Sequence, residues 1–181
     1  MTDTDLLVQR AVDGDAEAFG RLYDMHVDRI YRHIYYRVGN KADAEDLTQE
    51  VFFKAWKAIG RYKKTGSPFL AWMMTICHNQ IVDSYRKRKD ETYLDDDLPV
   101  ADNGPGPELA AEMEFDRKQV RRCIRRLGND QQQVILLRFI EDFSYGEIAA
   151  SLGKSEGAVR VIQHRALLKL RDIMEKEKEA R

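Results

Sequence analysis

Near its C-terminal end this 181-residue chain sets Ser155, Glu156, Arg160, Val161, His164 and Arg165 at intervals that suit one face of a helix. Their chemistry suits nucleic acid. Arginine makes bidentate contacts to guanine, a carboxylate accepts from a cytosine amino group, and valine touches a thymine methyl. Arg165 and Lys169 suit phosphates, which position a helix without reading sequence. Catalysis finds no comparable set. His26, His33, His78 and His164 are scattered without metal-ligand spacing, and no glycine-rich phosphate loop occurs. The acidic clusters fall on helix faces expected to be exposed. No catalytic residue, metal site or cofactor is expected.

The elements that must position these side chains form a helix-turn-helix. Ser144 and Glu147 make a capping box for its first helix, and Ile148 and Leu152 give that helix an apolar edge. Ala149 is small where two helices must approach. Gly153 follows Leu152, where the backbone must turn left-handed. Ser155 suits the N-cap of the second helix, in which Val159, Ile162, Ala166 and Leu170 face inward. The outward stripe then carries Glu156, Arg160 and His164, and its N-terminal end is the part that reaches base edges. The competing reading is a solvated charged face on a packing helix.

Composition agrees with an all-α protein. Helix formers dominate, only 4 residues are proline, and 34% of the chain is charged. The net charge of −1 gives no sign of a nucleic-acid partner, but the charges are sorted into blocks. No apolar run approaches membrane-spanning length, and the acidic Met1–Asp5 start does not look like a signal peptide. With Cys77 and Cys123 far apart, two buried thiols and a cytoplasmic setting are expected.

Periodicity predicts a short helix from Asp5 to about Val12 capped by Thr4, then a long helix carrying Phe19, Leu22, Tyr23, Ile30, Ile34 and Val38 up to Gly39-Asn40. A third helix runs from about Asp43 to Ile59 with Leu47, Val51, Ala55 and Ile59 buried. Asp46, Gln49, Glu50 and Phe53 fall on its opposite face, which suits either solvent or a basic partner helix. The loop Gly60–Gly66 carries Arg61, Lys63 and Lys64. Ser67-Pro68 signals a fourth helix, with Phe69, Trp72, Met73, Ile76 and Ile81, ending at Arg86–Lys89. Residues 91–107, with Asp95–Asp97 and Gly104–Pro107, read as a flexible acidic linker. A fifth helix follows, through Met113, Phe115, Val120, Ile124 and Leu127, then a sixth from Asp130 to about Phe139 capped by Asn129. The expected fold is two small helical domains, 1–90 and 108–181, on a loose tether.

Two motif clusters resemble bacterial sigma factors. Asp43–Phe52 (DAEDLTQEVF) resembles their polymerase-binding helix. Phe69-Leu70-Ala71-Trp72 with Ile76-Cys77-His78-Asn79 resembles their promoter-melting helix. Gly157-Ala158-Val159-Arg160 with His164-Arg165-Ala166-Leu167 resembles their second DNA-binding region. With no domain between the modules, the chain resembles the small extracytoplasmic-function group.

The resemblance implies core RNA polymerase as partner through its clamp coiled coil and flap, with the clamp coiled coil on Asp46, Gln49, Glu50 and Phe53. It implies minus-ten promoter contacts from Lys63, Lys64, Trp72, Asn79 and Arg86, through a pocket for an unstacked base beside the Lys63–Ser67 loop. It implies minus-thirty-five contacts from the second helix of the helix-turn-helix, and restraint by an anti-sigma protein as is common in the family. Trp72 suits either base stacking or the core. Arg86–Lys89 suits either phosphates or the helix dipole. The acidic linker suits either mimicry of nucleic acid or a solubilising tether. Two other classes differ in what they need. A conventional helix-turn-helix regulator binds duplex tightly without polymerase. A recombinase needs a nucleophile beside clustered arginines, and the first module offers none that convinces.

Overall fold

The computed structural model describes residues 2–64, 66–91 and 108–180. The N-terminal module contains α1 (Asp3–Val12), α2 (Ala16–Val38), α3 (Lys41–Ala58), a 3-10 turn (Ile59–Arg61) and α4 (Phe69–Glu91). The C-terminal module contains α5 (Glu108–Arg125), α6 (Asn129–Phe139), α7 (Tyr145–Leu152) and α8 (Glu156–Glu179). No strand occurs among the described residues. The acidic linker expected at 91–107 lies almost wholly outside them, as do the side chains of Met113 and Phe115.

Local signals place most of the helix ends. Gly39 closes α2 with a left-handed φ of 78°, and Gly153 closes α7 at 62°. Leu47, Val51, Ala55 and Ile59 are buried as their spacing requires. Two caps differ from expectation. Thr2, not Thr4, starts α1: its hydroxyl accepts from the Asp5 amide at 3.2 Å, and the Asp5 carboxylate accepts from the Thr2 amide at 2.9 Å. This reciprocal pair outcompetes a lone threonine. Gly128, not Asn129, stands at the start of α6, where the Gln131 side chain accepts from the Gly128 amide at 3.1 Å. Asn129 is drawn elsewhere: its Oδ1 accepts from the Arg37 guanidinium at 3.1 Å. Val120, part of the expected apolar repeat of α5, is exposed, whereas Cys123 is buried. Both cysteines are free and buried, and burial pushes the Cys77 thiol up to about 12.

The two modules do not stand apart. Val134, Leu137, Phe143, Ile148 and Ala149 share one apolar core with Ile30, Ile34, Met73, Met74 and Cys77. Around this core runs a polar seam. Arg37, fully buried on α2, donates to Gln132 Oε1 at 3.1 Å and Gln133 Oε1 at 2.9 Å on α6. His33 meets the same Gln133 oxygen at 2.9 Å through Nε2. That oxygen can only accept, so His33 carries its proton on Nε2. At the edge, the Glu141 carboxylate, fully buried, takes ion pairs from Arg29 at 2.8 Å and Arg32 at 3.4 Å. The Arg125 guanidinium lies where a Cβ on Gly39 would stand, but it is the φ of 78° that favours glycine there, since the arginine side chain can move aside.

Candidate nucleic-acid interface

The helix-turn-helix is built as its sequence directs. Ser144 Oγ accepts from the Glu147 amide at 3.2 Å while the Glu147 carboxylate accepts from the Ser144 amide at 2.7 Å. Ser155 Oγ accepts from the Ala158 amide at 3.1 Å and starts α8. Val159 and Ala166 are fully buried and Ile162 partly so. Packing those three inward leaves Glu156, Arg160, Val161, His164 and Arg165 exposed on the opposite side. A Cβ on Gly146 would sit 3.2 Å from a carboxylate oxygen of the exposed Glu156, so the start of α7 lies close beside the start of α8. One partner escaped the sequence reading. The Arg160 guanidinium stacks on the Tyr145 ring at 3.8 Å, which holds it against the first helix by a cation–π contact.

On the N-terminal module, the loop before α4 and the exposed flank of α4 bring the second group of candidates partly together. Lys63 is exposed beside a cavity of about 100 Å³ lined also by Tyr62, Ser67, Trp72 and Thr75. Trp72 is half-buried, its ring 5.0 Å from Tyr62 and 5.4 Å from Phe69. It packs in this aromatic cluster and, together with Tyr62, lines the cavity. Asn79 is exposed on the same stripe as Trp72 and Thr75, at helical spacing. Arg86 is exposed further along α4, about 20 Å from Trp72 at a helix rise of about 1.5 Å per residue. Lys64 turns away from the cavity and pairs with Asp5 at 2.8 Å, which holds the Asp5 carboxyl down at about 2.

The outward face of α3 is intact and open. Asp46, Gln49 and Glu50 are exposed, and Phe53 is 58% exposed with the Lys57 ammonium 4.2 Å above its ring. Gln80 of α4 donates to the Glu50 carboxylate and accepts from Lys54, fixing the acidic stripe against its neighbour helix. Sequence reasoning missed Gln80, because its partners lie 26 and 30 residues away.

Comparison with known proteins decides the family. The Sigma-70 region 2 family matches residues 22–91 and the Sigma-70 region 4 family matches residues 117–170. The chain is 40% identical over 163 residues to the sigma factor BldN of Streptomyces coelicolor, covering 89% of this chain and 62% of that protein. It is 33% identical over 176 residues to the sigma factor SigD of Mycobacterium bovis, covering 93% of this chain and 82% of SigD. The chain belongs to the extracytoplasmic-function group of sigma-70 factors.

The solved structure of CnrH in complex with the cytosolic domain of CnrY aligns over 96% of this sigma factor and 99% of CnrH, with a TM-score of 0.72 and 27% identity. That alignment spans both modules at once. The α3 and α4 candidates fall inside the region 2 match, and the α8 candidates inside the region 4 match. No helix among the described residues is long and apolar enough to cross a membrane.

Proposed function

We propose that this sigma factor binds core RNA polymerase, carries it to specific promoters and helps open the minus-ten segment, with all bond chemistry left to the polymerase. Residues 1–90 form the polymerase-docking and strand-opening unit, and residues 108–181 the minus-thirty-five reader. Asp46, Gln49, Glu50 and Phe53 dock the clamp coiled coil. Lys63, Lys64, Trp72, Asn79 and Arg86 hold the minus-ten strand. Ser155, Glu156, Arg160, Val161, His164 and Arg165 face the minus-thirty-five duplex, and the flap takes the remaining surface of region 4. An anti-sigma protein is a further partner, and the cytoplasm is the compartment in which polymerase and promoter meet this chain.

The observation that carries this reading is the pairing, in one chain, of a region 4 helix-turn-helix with Glu156, Arg160, Val161, His164 and Arg165 exposed and a region 2 helix with an open acidic, aromatic face. Such a face suits a basic helical partner, because charge complementarity steers encounter and an exposed aromatic supplies an anchor. The decisive experiment mixes the purified chain with core polymerase and a promoter library and sequences the transcript starts. Discrete starts sharing two upstream motifs are expected, and they should be lost when Glu50 is replaced by lysine. Association without any promoter-specific start, or no association at all, would overturn the reading.

A further inference from the structure

The first turn of α7 does more than open the helix-turn-helix. Tyr145 stands directly after the Ser144 cap. Two guanidinium groups lie over its ring, that of Arg160 from α8 at 3.8 Å and that of Arg138 from α6 at 5.0 Å. Arg138 is anchored in its turn, because its Nη1 donates to the Phe143 carbonyl at 2.9 Å. Tyr145 is half-buried and packs against the apolar core. The ring is therefore a fixed platform, held by the core and by α6.

Arg160 is exposed, and the ring is what holds it. Among the described residues its guanidinium makes no hydrogen bond or ion pair. Glu156, one turn earlier on α8, lies at the spacing that favours an ion pair with it, yet the two do not pair. The Glu156 carboxylate lies instead beside Gly146, 3.2 Å from where a Cβ would stand. Both outward residues at the start of α8 thus lean on the first turn of α7.

A free arginine side chain loses rotamer freedom when it is ordered against a base, and that cost is taken from the contact. Stacking on an aromatic ring removes much of the freedom before DNA arrives. It also leaves the N–H donors of Arg160 without a competing acceptor. Those are the donors that a guanine edge takes two at a time.

We propose that Tyr145 is a specificity-determining positioning residue: its ring, steadied by Arg138, presets the direction of Arg160, and the discrimination that Arg160 exerts at one base pair depends on that stack. The inference rests on the assignment of Arg160 to the minus-thirty-five duplex. It gives part of the sequence reading to the first turn of α7, through a residue that acts by holding another.

The test uses holoenzyme reconstituted from core polymerase and the full chain, on a promoter library randomised across the minus-thirty-five element and constant elsewhere. Transcript sequencing reads the preference at every base pair. Arg160→Ala should abolish the preference at one base pair. Tyr145→Leu keeps apolar bulk against the core but removes the ring, and it should weaken the preference at that same base pair about two- to tenfold. Tyr145→Phe, which keeps the ring, should retain the wild-type profile. The double variant Tyr145→Leu/Arg160→Ala should lose no more than Arg160→Ala alone. Arg138→Gln should shift the same base pair by less, and it carries the test should Tyr145→Leu weaken the module as a whole.

A Tyr145→Leu profile unchanged at that base pair, with output either intact or lowered evenly across all sequences, would overturn the inference. So would additive losses in the double variant. A Tyr145→Phe profile matching that of Tyr145→Leu would assign the effect to the hydroxyl and overturn the stack. Failure of the underlying reading looks different: Arg160→Ala itself would keep the wild-type preference at every base pair, and the inference would fall with it.

Discussion

The two flanks of the N-terminal module make opposite use of the same helix pair. The outer flank of α3 presents Asp46, Gln49, Glu50 and Phe53 to solvent, with Glu50 braced from α4 by Gln80. The inner flank, along α2 and α4, buries His33 and Arg37 beneath α6 and walls its small cavity with α7. A charged, aromatic surface that stays open is ready for a partner protein. A polar surface packed beneath another part of the same chain is closed to such a partner while the two stay docked. The contrast teaches that availability, not residue type alone, separates a docking face from a face held in reserve.

That contrast breaks most sharply at Arg37. Replacing it with alanine removes four side-chain partners at once and leaves the buried Gln132 Oε1 without its donor. The expected loss is about 1–3 kcal/mol of docking stability, which shifts the chain toward the open form. Scattering should report an extended chain, while polymerase association through α3 should be retained. A compact Arg37→Ala chain would show that the apolar centre alone holds the seam.

Acid sharpens the same contrast with a smaller effect. Burial, reinforced by the neighbouring Arg37 guanidinium, holds the His33 imidazole down at about 3 from an ordinary value of 6.5. His78, which lies between Arg37 and Asp130, is lowered as well, first by burial. Both groups bind protons more tightly once the seam opens. The docked state is therefore fully favoured above about pH 6.5 and loses ground as pH falls from there toward about 3. Going from about pH 7.5 to about pH 5.5 should lower the docking constant about tenfold through His33 alone. A docking constant unchanged by that step, measured by scattering, would mean that His33 stays buried in the open chain. Replacing His33 with glutamine should flatten the dependence.

Much of this was legible in the chain. The helix-turn-helix followed from Ser144 with Glu147, Gly153 and Ser155, because caps are short-range chemistry written within three or four residues. The exposed set on α3 followed from helical period alone. The seam was not legible. Arg37 lies in an ordinary amphipathic run, and its partners are 41 residues away on α4 and 92 to 96 residues away on α6. Arg29 and Glu141 are 112 residues apart. No local pattern encodes such pairs, and the same long-range demand took Asn129 away from its expected cap. Trp72 shows the intermediate case: its spacing placed it on α4, but only the fold sets it against Tyr62 and Phe69 and beside the cavity that it lines with Tyr62.

Hydroxyl-radical footprinting of the chain, alone and after addition of core polymerase, tests the whole account in one experiment. In the free chain Phe53 should be readily oxidised, while His33 and Phe143, both buried at the seam, should be protected. Polymerase should reverse the pattern, shielding Phe53 and exposing His33 and Phe143. A free chain in which His33 and Phe143 are already reactive, or a complex in which they stay protected while promoters open, would contradict it.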